Sequence, residues 1–94
     1  METVLRWHPQ KARSNLQKHG ITFEEAASVF RDTLSVTISD LLHSTEEDRF
    51  VTIERSGRNK TLVVVHSEAG DTIRIISARL ATRQERREYE EGTL

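Results

Sequence analysis

The stretch Ile73 to Glu91, IRIISARLATRQERREYEE, decides how the rest of the chain is arranged. Its first half predicts a strand, because three β-branched isoleucines lie close together in it. Its second half predicts a helix that begins at Thr82, since Thr82 and Glu85 have the spacing of a capping box. A strand that leads directly into a capped helix therefore forms the C-terminal part of the fold.

Three arginines, Arg74, Arg79 and Arg83, lie in this stretch, with no acidic residue between Ile73 and Gln84. Guanidinium groups at a strand end are suited to binding anions, because their fork of donors matches two oxygens of a phosphate or carboxylate. The alternative is that they pair with acidic loops and complete the surface. In an unbroken strand Arg74 and Arg79 point to opposite faces, so both line one cleft only if a bulge intervenes or Arg79 lies beyond the strand end.

Composition limits the classes of protein that the chain can represent. Its 94 residues predict one domain, residues 1–94, with a modest core. The absence of cysteine excludes a disulfide framework and a thiolate zinc site. Neither a membrane-spanning apolar run nor a signal-peptide segment is present, so we expect a cytoplasmic protein that does not contact a membrane. The net charge of −1 does not exclude nucleic acid, because residues 1–20 are basic and residues 40–48 are acidic.

Periodicity predicts an α+β domain with the element order β-α-α-β-β-β-β-α and an antiparallel sheet. Ala12, Leu16 and His19 follow the apolar stripe of a first helix, and Gly20 is placed to end it. The predicted segments are a strand at 3–7, helices from Pro9 and Thr22, strands at 34–38, 49–55, 61–66 and 73–80, and a last helix from Thr82. The short turn Ala69-Gly70-Asp71 requires the last two strands to be adjacent and antiparallel, because so short a connection cannot support a parallel crossover.

Most catalytic classes leave no signature in this sequence. The four histidines, His8, His19, His43 and His66, lack a recognised zinc spacing, so we expect no metal site. There is no nucleophile elbow around a serine and no glycine-rich phosphate loop, and we expect no cofactor.

What remains is a basic surface with a few groups able to move protons. Lys11, Asn15 and Lys18 lie on one side of the first helix, since residues three and four apart are helical neighbours. The two lysines also fit a plain solvated face, and His19 fits a helix C-terminal cap. Tyr89 on the last helix also fits a residue that only covers the sheet.

The segments WHPQKARSNLQKHGITFEEAASVF, DLLHSTEEDRF and IRIISARLATRQERREYE resemble the BrnT toxins of bacterial type II toxin–antitoxin systems. The resemblance runs from Trp7 to Tyr89 and keeps the order and spacing of the motifs KHGxxFxxA and IRIISAR. It implies a compact fold similar to the RelE-type ribonucleases. One departure is His8, where the family usually has Asp, which removes the preferred cap residue of the first helix.

The resemblance implies a metal-independent endoribonuclease that cleaves cellular RNA and arrests growth. It also implies neutralisation by a BrnA-like ribbon-helix-helix antitoxin, with operator DNA bound only through the antitoxin complex. In such chemistry a base removes the RNA 2′-hydroxyl proton, the oxygen attacks phosphorus, and an acid protonates the leaving 5′-oxygen. Cationic groups stabilise the charge that develops on the phosphoryl oxygens.

Residues that match the family's motifs are the candidate site. As catalytic residues we expect Arg49, Arg74 and Arg79 to bind phosphate and His19 or Lys18 to transfer protons. The expected RNA-binding residues are Lys11, Asn15, Arg83, Arg86 and Tyr89.

A second hypothesis is an inactive binding module that serves as antitoxin partner and corepressor on operator DNA. The acidic segment 40–48 is compatible with this hypothesis. Activity on RNA separates the two, whereas a neighbouring gene for a ribbon-helix-helix protein is expected under both.

Overall fold

The computed structural model describes residues 3–31, 36–39 and 49–93, with 36–39 described by the backbone alone. Three strands and a helix follow one another in the C-terminal half of the chain, after a strand, two helices and a further strand. The elements in chain order are β1 (Val4–Trp7), α1 (Pro9–His19), α2 (Phe23–Ala27), a 3-10 turn (Ser28–Arg31), β2 (Val36–Ser39), β3 (Arg49–Arg55), β4 (Thr61–Ala69), β5 (Thr72–Leu80) and α3 (Arg83–Glu91). The predicted element order is thereby confirmed, while the acidic segment 40–48 lies outside the described residues.

The five strands form one sheet in the order β1-β5-β4-β3-β2. Strands β2 to β5 are antiparallel neighbours, and the predicted pairing of β4 with β5 is confirmed. The prediction of an antiparallel sheet is wrong for β1, which pairs with β5 in parallel. β1 and β5 are not joined by a short turn, because two helices and three strands lie between them in the chain. A tight turn forces two strands to be antiparallel, whereas so long a connection allows β1 to run parallel to β5. The sheet is therefore mixed.

The α1 helix has a polar start and a glycine end. His8 is its N-cap, and the His8 Nδ1 accepts a hydrogen bond from the Gln10 amide at 3.2 Å. The His8 imidazole thus partly replaces the hydrogen bond that the usual Asp would accept as N-cap. Gly20 adopts φ 71° at the C-cap, a left-handed conformation that glycine reaches without strain, and its amide bonds the Leu16 carbonyl.

The core lies between the helices and one face of the sheet. Phe23 is fully buried there, with Leu62 and Val64 of β4 and Ile75 of β5 beneath it. The Trp7 ring meets the Phe23 ring edge to face at 6.1 Å, which fixes β1 against α2. Burial of an aromatic such as Phe23 contributes about 1.5–3 kcal/mol, so these few residues carry a large share of the stability.

The β3–β4 hairpin is tied to α2 by hydrogen bonds. The predicted turn Ser56–Asn59 is present, and Asn59 takes the left-handed conformation that it requires. The Ser56 hydroxyl donates to Glu25 Oε2 at 2.7 Å, and the Gly57 amide donates to Ser28 Oγ at 2.8 Å. These bonds fix the β3–β4 end of the sheet against the helices. The face of the sheet that points away from the core is left for the candidate site.

Candidate functional site

A bulge in β5 places Arg74 and Arg79 on the same face of the sheet. Ser77 is paired with Val65 and Ile75 with His66, so Ile76 is the extra residue. An extra residue reverses the alternation of side chains beyond it. Arg74 is opposite Ser67 and Arg79 is opposite Val63, which are four residues apart on β4 and hence share a face. The bulge is one of the two conditions under which the sequence analysis allowed a common surface, and Arg79 lies inside β5 rather than beyond it.

Arg49 belongs to the same face as Arg74. Arg49 pairs with Ser67 and Ser67 pairs with Arg74, so the three residues form a row across β3, β4 and β5. Residues opposite one another on neighbouring strands point to the same side. Arg49 is half-buried and Arg74 is exposed. Two of the three predicted phosphate-binding arginines therefore stand in one row, with only a serine between them.

Arg79 lies further along the sheet and holds a carboxylate. Val63 and Ser67 are four residues apart, which sets Arg79 about 13 Å from the row. The Arg79 Nη1 and Nη2 donate to Glu85 Oε1 and Oε2 at 2.8 and 3.0 Å. Glu85 Oε1 also accepts from the Thr82 amide, which completes the capping box of α3. The guanidinium fork is thus preorganised for two oxygens of one anion.

The Arg79–Glu85 pair shifts the ionisation of both groups. Hydrogen bonds from Arg79, against the opposing effect of burial, lower the pKa of Glu85 to about 2. The same carboxylate raises the pKa of Arg79 above its ordinary value. Both groups are charged at neutral pH, so an RNA phosphate that binds Arg79 replaces one anion with another.

Asn15 is buried, and its amide holds backbone groups. Its Nδ2 donates to the carbonyls of Ile21 and Ala78 at 3.0 and 2.8 Å, and its Oδ1 accepts from the Ala78 amide at 3.0 Å. The pairing of β1 with β5 ends at Ile75, so Asn15 occupies the β5 edge where a further strand residue would bond. Asn15 has this structural role, and a contact with RNA stays a prediction.

The other predicted residues of α1 are exposed. Lys11 lines a cleft beside Arg74, one turn before Asn15. Lys18 and His19 are in the last turn, where the charge of Lys18 complements the helix dipole. Lys11 is therefore near the start of α1 and Lys18 and His19 are at its end, with the buried Asn15 between them. The role of His19 or Lys18 in proton transfer stays a prediction.

On α3, Tyr89 bonds the sheet while the arginines face solvent. The Tyr89 hydroxyl donates to Glu54 Oε1, and the Arg55 amide donates to the same oxygen. Glu54 is 1% exposed, and its Oε2 has no hydrogen-bond partner among the residues described. Arg83 and Arg86 are exposed, so their predicted contact with RNA is sterically open.

Glu54 and Arg6 were absent from the sequence-based candidates. Glu54 shares its sheet face with Thr52 and the core residue Leu62, so strict alternation along β3 would have placed it inside. Arg6 lies opposite Arg74, a pairing that only the parallel β1 creates. Within the described segments, no three His, Asp or Glu side chains are arranged to hold a metal ion.

His66 is a buried histidine on the core face. Its Nε2 lies 2.7 Å from Thr52 Oγ1, and its ring contacts the Phe30 and Phe50 rings with centroids 4.9 and 5.9 Å away. Burial lowers the pKa of His66 from its ordinary 6.5 to about 4. The imidazole is therefore neutral at pH 7 and belongs to the core rather than to the arginine face.

Comparison with known proteins shows that this fold is shared with a solved structure. A crystal structure of the Brucella abortus ribonuclease toxin BrnT is similar to the chain, with a TM-score of 0.66. The two are 20% identical over 86% of this chain and 99% of that chain, which shows a common fold. The class that the fold defines is that of small α+β domains with a mixed sheet and flanking helices.

The family follows from the sequence profile described as "Ribonuclease toxin, BrnT, of type II toxin-antitoxin system", which matches residues 7–85. The chain belongs to this family of type II toxins, whose members act with an antitoxin partner. No curated protein sequence matches the chain. Of the described helices, none is long and apolar enough to cross a membrane.

Proposed function

We propose that the chain is an endoribonuclease that cleaves cellular RNA by metal-independent attack of the 2′-hydroxyl and so arrests growth. The observation that carries the proposal is the common face of Arg49, Arg74 and Arg79, made possible by the Ile76 bulge. An RNA backbone that lies along this face meets guanidinium groups at successive positions. Family membership supports RNA as the substrate.

In this proposal the arginines neutralise the charge that develops on the phosphoryl oxygens. Such preorganised donors supply the largest part of the rate enhancement in many enzymes. His19 or Lys18 exchanges the protons of the 2′-hydroxyl and of the leaving oxygen. Lys11, Asn15, Arg83, Arg86 and Tyr89 complete the proposed RNA-binding set, with Asn15 and Tyr89 contributing through the elements that they position.

The proposed partner is a BrnA-like ribbon-helix-helix antitoxin that neutralises the toxin and binds operator DNA on behalf of the complex. The basic face is suited to an acidic segment of such a partner as well as to RNA. Competition between the antitoxin and RNA for this face follows directly from the proposal.

A second candidate function is supported by one observation. The Arg79 fork is filled by Glu85 in the free chain, as expected for a module that binds its antitoxin and does not turn over RNA. The two functions are separated by expression of the chain with and without the neighbouring antitoxin gene, followed by mapping of RNA ends. The endoribonuclease produces new internal 5′ ends and growth arrest only without the antitoxin. An unchanged RNA population favours the inactive module.

A further inference from the structure

A cleft of about 500 Å3 opens between β1, the start of α1 and β5. Three of the side chains that line it are cationic, namely Arg6, Lys11 and Arg74. Trp7 and Ile75 form part of its wall. The cleft adjoins the row of Arg49 and Arg74 but does not include Arg79.

Arg6 and Arg74 are like charges placed directly opposite each other. They are register partners in the parallel pairing of β1 and β5. Like charges at such positions destabilise a sheet unless an anion lies between them. Among the described residues the ion pairs are Arg55–Glu90 and Arg79–Glu85, and neither involves Arg6 or Arg74. The first turn of α1, next to Lys11, also lacks an acidic residue. Both arginines are exposed, so an anionic ligand can reach the pair.

Arg6 extends the arginine row by one strand. Arg49, Ser67, Arg74 and Arg6 are successive register partners across β3, β4, β5 and β1. With neighbouring strands about 4.8 Å apart, the row spans roughly 14 Å between its end backbones. One phosphate group is too small to engage both ends of such a row. Its length therefore favours a polyanion over a free phosphate ion.

The cations of the cleft indicate which part of a nucleic acid it recognises. The half-buried Trp7 ring packs edge to face against Phe23 at an interplanar angle of 84° and forms part of the wall beside these cations. Arginine and lysine side chains bind phosphates, which carry no base information, so we expect the cleft to offer charge without base readout.

We propose that Arg6, opposite Arg74 and beside Lys11, binds an RNA phosphate next to the phosphate held by Arg74. The inference rests on the proposed function, since it assigns the substrate of that site a path across β5 and onto β1. Contact at this subsite is independent of base sequence. It sets affinity and the register of the RNA rather than the chemistry at the scissile bond.

The test uses Arg6→Gln in the full chain, with Arg13→Gln as the matched control on the exposed surface of α1 outside the cleft. RNA with 2′-O-methyl groups is bound but cannot undergo 2′-hydroxyl attack, so affinity is measured without cleavage. We expect Arg6→Gln to raise Kd about tenfold at low salt and to make the slope of log Kd against log salt shallower by about 0.7, the value for one phosphate contact on a single strand. We expect the increase in Kd of Arg6→Gln to be the same for several RNA sequences. The kcat/KM of Arg6→Gln falls by the same factor as its affinity for RNA. Arg13→Gln behaves as the wild type in each measurement.

Arg6→Lys keeps a charge without the fork and is expected to restore most of the affinity and the salt slope. Thermal melting of each variant shows that the fold is intact. Unchanged Kd and salt slope in Arg6→Gln overturn the inference, as does a loss confined to some RNA sequences. Inorganic phosphate that competes as well as RNA overturns it too, because it makes the cleft a site for a free anion. If wild-type protein binds RNA with the expected Arg6 dependence but cleaves none, the proposed function fails and the subsite stands.

Discussion

Arg79 and Asn15 show how differently two residues of one motif set can be used. The Arg79 guanidinium already donates two hydrogen bonds to a carboxylate, and the Asn15 side-chain amide is hydrogen-bonded to backbone groups of β5. A pattern of residue types predicts a chemical capacity, but the contacts decide whether that capacity is open to a ligand. Arg79 has an exchangeable partner, while the partners of Asn15 are fixed.

We expect Arg79→Lys to lower single-turnover cleavage of RNA by about 10²-fold or more, because a lysine cannot offer two parallel donors to a phosphate. RNA binding weakens far less, since the charge is kept. Rapid-mixing cleavage assays measure the loss, and Arg87→Lys on the exposed surface of α3 is the control. Cleavage at the wild-type rate would move the catalytic role to Arg49 or Arg74.

Asn15→Ala is expected to cost about 2–4 kcal/mol, because Ala78 and Ile21 then keep buried backbone groups without partners. Alanine is otherwise the better helix former, so a loss cannot come from helix propensity. Urea denaturation measures the free energy of unfolding, with Ser14→Ala on the exposed side of α1 as the control. A loss below about 0.5 kcal/mol, the usual size for a surface change, would show that the β5 edge does not depend on this amide.

Buried His66 predicts a dependence of stability on pH. Its folded pKa of about 4 lies below its ordinary 6.5, so the unfolded chain takes up the proton first as the pH falls. Stability therefore declines from pH 6.5 to pH 4, by as much as roughly 3 kcal/mol. Unfolding curves at stepped pH give this slope, and His66→Gln is expected to flatten it. An equal slope in His66→Gln would assign the decline to other groups. The stabilising contribution of the Glu85 carboxylate is lost at lower pH, between about pH 4.5 and pH 2, because its folded pKa is lowered to about 2.

The α3 helix differs from the other elements in what holds it. It has no buried residue, and its contacts with the sheet include the Arg79–Glu85 pair, the Tyr89–Glu54 hydrogen bond and the Arg55–Glu90 contact at 3.9 Å. Exposed ion pairs contribute little, so the Arg55–Glu90 contact adds little to the attachment of α3. The helix that carries Arg83 and Arg86 is thus the least firmly attached part of the candidate site.

We expect the amides of α3 to exchange with solvent deuterium through a local opening, at a free energy well below that of global unfolding. The amides of β4, between two partner strands, exchange only when the whole fold opens. Glu85→Gln is expected to accelerate exchange in α3 further without changing β4. If α3 and β4 exchange at the same free energy in the native protein, α3 is part of the cooperative core and this account of its attachment is wrong.

The elements most local in sequence were predicted best. The capping box at Thr82 and Glu85, the Ser56–Asn59 turn and the β4–β5 pairing all depend on residues close together in the chain, and all are present. The apolar stripe of α1 was partly misread, because Asn15 is buried and Leu16 is 47% exposed. A polar side chain can be buried when its hydrogen bonds are satisfied, as those of the Asn15 amide are by backbone groups. Hydrophobic periodicity cannot predict such a position.

Long-range geometry could not be read from the sequence. The parallel β1 and the Ile76 bulge depend on which strands meet, and no local turn signals either. The arginines were found as residue types, but their common face required the bulge and the Arg6–Arg74 pairing required β1. The complete basic surface therefore belongs to the tertiary fold, whereas membership of the BrnT family could be recognised from motifs along the chain.

We propose that this basic face cleaves RNA by attack of the RNA 2′-hydroxyl group on the adjacent phosphorus, without a metal ion. The most direct measurement incubates the purified chain, in EDTA, with an RNA that it cuts at one position, beside the same RNA with a single 2′-deoxy nucleotide at that position. We predict cleavage of the first RNA with a 2′,3′-cyclic phosphate or its hydrolysis product at the new 3′ end, and no cleavage of the second. Cleavage of the 2′-deoxy RNA, or activity that EDTA abolishes and a divalent metal restores, would contradict the account.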